Sequence, residues 1–312
     1  MNKKTIVLST IIGIILVVIA FNLLYSPEVE EVQIGTFFSA IDYAPYYIAK
    51  HNGWFEEVAG KHETSISYTE FQTLPTINEA LATGKLDVIF EAEPPAIIGK
   101  AAGVDVEIKG MGVSLTQEIL VHKDSSIKNI EDLKGKKIAV LSGTSSHYGV
   151  LKILEENGIS GSDVEIIDMT PPDANAAFES KLIDAWAVWP PWVEQHTVTG
   201  NSVTLEKGDA FIQSIVAVRG KFSDENPELT QDLLNTVTRA KEWINNNEEE
   251  AQEIVATELD LPLEVVIEAW PKHDFQATIG EVEKADIQAK ADFLFDTGSI
   301  KKKINVEELV VL

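Results

Sequence analysis

Residues 137–157 read KIAVLSGTSSHYGVLKILEEN, and the reading of this stretch decides the fold. KIAVL is a short apolar run of strand length, while residues 145–157 read as a helix. A strand that turns directly into a helix is the repeating unit of an α/β protein. The loop between them holds Ser142, Gly143, Thr144, Ser145 and Ser146, whose N–H and O–H groups would gather at a helix N-terminus. Such a place suits an oxyanion. Thr144 or Ser145 acting as an ordinary N-cap would explain the same residues without a ligand.

Outward from this unit the alternation continues on both sides. VQIGTFF (32–38) is strand-like, 44–51 reads as a helix ending at Gly53, ISYTEF lies near Ile66 as a strand, and 75–82 is a helix capped by Gly84. VIF at Val88 is the next strand and 94–102 the next helix. A second, similar series takes in EILVH from Glu118, KIAVL, VEIID from Val164, a helix at 173–180 and AWAVW from Ala185. The two series predict an α/β fold with mainly parallel sheets. Beyond Pro227 the chain reads as almost entirely helical (228–245, 248–258, 263–270, 280–295 and 306–312), and these helices are expected to pack back on the first series.

The chain has 312 residues, so two domains or one two-lobed domain is the expectation. Its 45% apolar and 24% charged residues are those of a globular protein with a sizeable core. With 25 Lys plus Arg against 50 Asp plus Glu the net charge is −25, which would repel a phosphate backbone and argues against a nucleic-acid partner. Zero cysteines exclude disulfides, thiolate nucleophiles, cysteine-ligated metal sites and a lipidated N-terminal cysteine. There is no Gly-rich phosphate loop, His-Glu-x-x-His helix, Gly-x-Ser-x-Gly elbow or calcium loop. No catalytic residue, metal or cofactor is therefore expected.

Lys3 and Lys4 precede an uncharged run at 5–25, long enough to cross roughly 30 Å of hydrocarbon as a helix. Residues 1–26 read as an uncleaved signal-anchor, with a cleaved signal as the alternative because Val18 and Ala20 form only a weak cleavage site. Glu28, Glu30 and Glu31 follow, so the positive-inside bias puts the tether at 27–31 and the bulk of the chain outside the cytoplasm.

Four segments carry a resemblance: YAPYYIAKHNGWFEE (43–57), INEALATGKLDVIF (77–90), IKNIEDLKGKKIAVLSGTSSHYGVLKILEENGI (127–159) and PPDANAAFESKLIDAWAVWPPW (171–192), supported by NPELTQDLL (226–234). Together they resemble the extracytoplasmic solute-binding proteins of ABC importers, in the group serving nitrate, taurine and aliphatic sulfonates, bicarbonate and thiamine-pyrimidine-like ligands. The resemblance implies a two-lobed periplasmic-binding-protein fold of type II, with lobe 1 at 32–113 and 208–312, lobe 2 at 114–207, and two hinge crossovers near 114–117 and 206–210. It implies a monomer that captures a small anionic or zwitterionic solute and hands it to an ABC permease with its ATPase. Alkanesulfonates and taurine lead; nitrate or bicarbonate and a thiamine-pyrimidine-like ligand follow. Other classes are an enzyme of the thiamine-pyrimidine synthase branch, whose cysteine-rich signature is absent, and an anchored adhesion domain.

In that topology strand ends point into the cleft, which selects the candidate ligand contacts. They are Ser39, Asp42 and Tyr43 after the first strand, Glu91 and Glu93 after the third, Gln117 at the first crossover, and Ser142, Gly143, Thr144, Ser145 and Ser146 with His147 in the donor loop. Of the spaced tryptophans Trp186, Trp189 and Trp192, Trp189 is the expected aromatic wall, with lobe-core packing the alternative. Arg219, after the apolar run FIQSIVAV, is expected to enter the cleft and pair with an anion, a surface salt bridge being the other reading. Glu91 and Glu93 depart from the neutral residues the resemblance leads one to expect beside an anion. Together with Asp42 they suggest a zwitterion.

Overall fold

A computed structural model describes residues 31–38, 40–205 and 210–312; the apolar segment at 5–25 lies outside the described residues. Among the described residues, no helix is long and apolar enough to cross a membrane.

The first series supplies β1 (Glu31–Phe37), α1 (Ala44–His51), α2 (Trp54–Lys61), β2 (Ser65–Phe71), α3 (Leu74–Thr83), β3 (Val88–Ala92), α4 (Glu93–Ala101) and β4 (Val106–Thr116). The second supplies β5 (Glu118–His122), β6 (Lys137–Val140), α5 (Ser145–Glu156), β7 (Glu165–Asp168), α6 (Pro171–Glu179), β8 (Ala185–Val188), α7 (Trp192–Thr197) and β9 (Ser202–Thr204). After β10 (Phe211–Arg219) come α8 (Gly220–Glu225), α9 (Pro227–Asn246), α10 (Glu248–Glu258), α11 (Leu263–Ala269), α12 (Glu281–Asp296) and α13 (Val306–Leu309). Several elements go beyond the sequence reading, among them α2, β4, α7, β9 and α8. α2 starts straight from Gly53, whose left-handed conformation breaks one helical pattern into two, and β4 hides its strand character because Gly110 and Gly112 interrupt the apolar alternation. α13 is one turn rather than the whole of 306–312, since Val310 leaves it to bridge Ile108 of β4.

Each sheet has five strands, in the orders β2-β1-β3-β10-β4 and β7-β6-β8-β5-β9. β1, β2 and β3 run parallel, as do β6, β7 and β8, and one reversed strand is inserted in each sheet, β10 in the first and β5 in the second. Both reversed strands are the ones that receive the chain from the other sheet. The chain leaves the first sheet at Gln117, whose N–H donates to the Ala210 carbonyl at 2.8 Å, so the outgoing and returning segments are tied together. Gln117 is fully buried, its amide donating to the Val188 carbonyl at 3.2 Å. A Cβ on Gly149 of α5 would stand 2.8 Å from its Cγ, so this position needs glycine.

The C-terminal helices pack mainly on the first sheet's helices, α9 and α10 on α1 and α12 on α4. α11 also touches α7, and the turn after it places Lys272 within 2.6 Å of both Glu118 and Glu194 of the second sheet's elements. Glu194 is wholly buried, and burial raises its pKa although Lys272 beside it pulls the other way. The apolar core forms three clusters: Ile89, Ile97, Ile215 and Leu294 on one face of the first sheet, Ile119, Val140 and Leu154 in the second, and one spanning both through Trp270, Trp186 and Trp189.

Candidate ligand-binding site

Strand ends meet helix starts where the two sheets face each other. Phe37 ends β1, Ala92 ends β3, Trp189 follows β8, and Thr144 follows β6; with Asp42, Tyr43, Pro95, Ser145, Ser146 and Ile212 they enclose a cavity of about 30 Å³. That is room for little more than one water. Larger hollows lie elsewhere on the surface, around Arg219 and around His122, away from these strand ends.

α5 presents the donors. Thr144 is its N-cap: the hydroxyl accepts from the His147 N–H at 3.3 Å and donates to the Leu141 carbonyl at 2.6 Å, so capping consumes it. The Ser145 and Ser146 N–H groups find no acceptor among the described residues, as expected of a first helical turn. Ser146 is 1% exposed, and its hydroxyl, buried on the cavity wall, also lacks a partner. Three donors therefore stay unspent in the first turn of α5, where the helix dipole is positive. Gly143, with φ of 78°, makes the turn into this helix start.

Opposite stands Asp42, 4% exposed, on a short helical turn. His273 approaches its Oδ1 at 3.2 Å through Nε2 while Nδ1 faces the Ala269 carbonyl at 2.9 Å. The Asp42 carbonyl accepts from Ser214 at 2.9 Å, and Ser214 comes so near Gly112 that a Cβ there would stand 2.5 Å from its hydroxyl oxygen. Tyr43 donates to the Phe37 carbonyl at 3.1 Å; burial, and then Asp42, push its pKa well up, so it stays protonated. Trp189 is 9% exposed and its ring centroid lies 6.1 Å from that of Phe38.

Of the sequence candidates, the cavity brings together Asp42, Tyr43, Thr144, Ser145, Ser146 and Trp189. Ser39 lies outside the described residues. Ser142 and Gly143 shape the loop from behind, the Ser142 N–H donating to Asp168 at 2.8 Å. His147 turns to Phe293 of α12, and burial lowers its pKa, so it packs rather than binds. Gln117 belongs to the crossovers. Trp186 is core, packed on Phe178 and Trp192.

Two expectations need correction. Arg219 does not enter the cleft: its Nη2 pairs with Asp87 at 2.5 Å. β10 is antiparallel to β3, so it begins at the cleft with Ile212 and ends with Arg219 about 23 Å further along. The rule that strand C-termini face the cleft fails for a reversed strand. Glu91 and Glu93 do not line the cavity either. Glu91 alternates with Phe90 and shares the face of Ile89, wholly buried with both oxygens unpartnered; burial raises its pKa well above the ordinary carboxyl value and keeps it a neutral acid.

Glu93 sits one layer behind the cavity wall, 0% exposed. Its Oε2 accepts from the Ser145 hydroxyl at 2.7 Å, and its Oε1 from Lys290 of α12 at 2.5 Å. Lys290 also reaches Asp286 at 2.7 Å, which accepts from the Gln213 amide at 3.0 Å. Burial raises the Glu93 pKa against the opposing pull of Lys290; burial works against the Lys290 charge, but Glu93 and Asp286 outweigh it and hold that ammonium protonated. Lys290, Asp286, Gln213 and His273 were not among the sequence candidates. Asp286 and Lys290 stand at i,i+4 on α12, a spacing that ordinarily marks a surface pair.

The fold and cleft are those of the periplasmic binding proteins, and the chain belongs to the NMT1-like family, whose match covers residues 25–259. It is similar to a Bacillus subtilis protein named as an aliphatic sulfonates-binding protein, 34% identical over 294 residues that cover 91% of this chain and 86% of the relative. Among solved structures, the periplasmic aliphatic sulphonate binding protein of Escherichia coli superposes with a TM-score of 0.79 at 26% identity, covering 91% of this chain and 92% of that one. The alkanesulfonate-binding protein of Xanthomonas axonopodis pv. citri, bound to MOPS, gives 0.79 at 25% identity over 90% of this chain and 98% of the other.

Proposed function

We propose that this protein is the solute-capturing component of an ABC importer, taking a small alkanesulfonate outside the cytoplasm and passing it, without chemistry, to the permease. What supports this reading is the first turn of α5, where Ser145 and Ser146 line the cavity and their N–H groups and the Ser146 hydroxyl have no acceptor among the described residues. A sulfonate is ionised at neutral pH and offers three acceptor oxygens to those donors. Its alkyl chain would lie on Phe37, Ile212 and Trp189, a wall that nitrate or bicarbonate would leave unused. A chain ending in an amine would bring its ammonium to Asp42, which favours taurine among the short sulfonates. Entry requires the cleft to open, and the reading includes two lobes, 32–113 with 208–312 and 114–207, turning about hinges near 114–117 and 206–210. It also includes a monomer, held to the membrane's outer face by 5–25; the full chain should then stay with membranes through a carbonate wash.

The test is a thermal-shift screen of alkanesulfonates, taurine, nitrate, bicarbonate and a thiamine pyrimidine. A ligand present at 100 times its dissociation constant adds about 2.7 kcal/mol. A clear rise with the sulfonates, and none with the inorganic anions, is expected. No rise with any sulfonate would contradict the reading.

A further inference from the structure

Ser145 belongs to two systems at once. Ser145 lines the cavity, and its hydroxyl is hydrogen-bonded at 2.7 Å to Glu93, a carboxyl with no exposure to solvent. A hydroxyl has a single proton to give. While Glu93 is ionised, Ser145 must donate to it, and only lone pairs are left facing the cavity. When Glu93 carries a proton on Oε2, that proton is donated to the Ser145 oxygen, and the serine O–H is free to turn toward a ligand.

We infer that sulfonate capture in this cleft is coupled to the uptake of one proton by Glu93, with Ser145 as the hydroxyl that reverses between the two states. The inference rests on the sulfonate reading above and adds its regulation. In the step, a proton from solvent binds Glu93 Oε2, the Glu93–Ser145 hydrogen bond changes direction, and the Ser145 O–H donates to a sulfonate oxygen; no covalent bond other than the O–H of the acid is made. Anion and proton enter together, so the buried charge of the cleft does not change, which matters in a chain of net charge −25.

The surroundings of Glu93 fit this role. From α12 it meets Lys290, which holds Oε1 and leaves Oε2 to Ser145, and Asp286 behind Lys290. From α5 come Ser145 and Tyr148, over whose ring the Lys290 ammonium lies at 5.7 Å. Tyr43 approaches from the first sheet's side, and Gln213 of β10 reaches the cluster through Asp286. Lys290 offers one positive charge to two carboxylates, so a proton is the natural complement of the cluster. Glu91 is already neutral by burial and is no competitor for it.

Titration calorimetry of the full chain with ethanesulfonate from pH 5 to 9, in buffers of differing ionisation heat, counts the protons taken up. The ligand does not titrate in this range. Wild type should take up as much as one proton, with affinity falling up to tenfold per pH unit across the Glu93 titration. Glu93→Gln should take up none and keep the low-pH affinity throughout, because its amide N–H donates to Ser145 as the protonated acid does. Ser145→Ala should bind more weakly than wild type at low pH and with an affinity that no longer depends on pH, again without proton uptake, and it decides the matter should the Glu93 variant not fold. Glu91→Gln should behave as wild type. Binding by wild type without proton uptake overturns this inference alone, as does uptake that persists in Ser145→Ala. An absence of any ethanesulfonate binding overturns the sulfonate reading with it.

Discussion

Two helices, α4 and α5, begin at the cleft from opposite sheets, each following a strand end and each with the positive end of its dipole toward the cavity. Geometry alone would make both into anion sites. The chemistry of their first turns separates them. α4 opens Glu93-Pro94-Pro95, and prolines have no N–H to give, while the carboxylate at its first position is already engaged by Lys290 and Ser145. α5 opens Ser145-Ser146, with both N–H groups and one hydroxyl unspent. A helix terminus binds a ligand only where the sequence leaves its donors free. Here one terminus is filled by the protein itself and the other is left for the solute.

The comparison can be broken most severely at Lys290. Lys290→Met would leave Glu93 and Asp286 buried without a cation, at a cost of about 3–5 kcal/mol, read by urea unfolding at pH 7. An unchanged midpoint would mean that α4 is not held by its ion cluster. Ser146→Pro would turn the first turn of α5 into a likeness of α4, which itself carries proline at the same helical position. It removes an N–H and a hydroxyl together and should weaken ethanesulfonate binding by at least about a hundredfold by calorimetry, each lost charge-assisted hydrogen bond being worth about 1.5–3 kcal/mol. Pro94→Ala, the converse change on α4, should leave affinity where it was.

Glu91 sharpens the contrast through stability. Below the ordinary carboxyl value of 4.5 both folded and unfolded chains hold its proton; above it the unfolded chain releases the proton while the folded chain keeps it. Stability therefore falls as pH rises, by about 1.4 kcal/mol per unit at most, until the folded carboxyl also ionises. Glu91→Gln lacks this loss, so it should match wild type near pH 4 and exceed it at pH 8 in thermal unfolding; parallel curves would contradict the burial. The smallest effect on binding is expected at Arg219. Arg219→Gln breaks the pair with Asp87 and should lower stability by about 1–3 kcal/mol while leaving sulfonate affinity unchanged.

What was legible in the sequence follows the range of the interactions involved. Strand and helix patterns are local, so KIAVL, the helix after it and the donor loop could be read directly, and Ser145, Ser146 and Trp189 lie where the strand-end rule puts them. Arg219 was misplaced because strand direction is settled by pairing across the sheet, and the apolar run FIQSIVAV looks the same whether it runs parallel or reversed. Glu93 could be seen as a departure, but its partner Lys290 lies 197 residues away on α12, and no local pattern joins the two. Nor could alternation on β3, a strand of five residues, tell whether its one acid, Glu91, would face the cavity.

The account stands on the first turn of α5, and the most direct measurement is a crystal structure of the full chain with ethanesulfonate. The account predicts the sulfonate within about 3 Å of the Ser145 and Ser146 N–H groups, with its chain on Trp189, Phe37 and Ile212. A sulfonate seated instead beside Arg219, or on the first turn of α4, would contradict it.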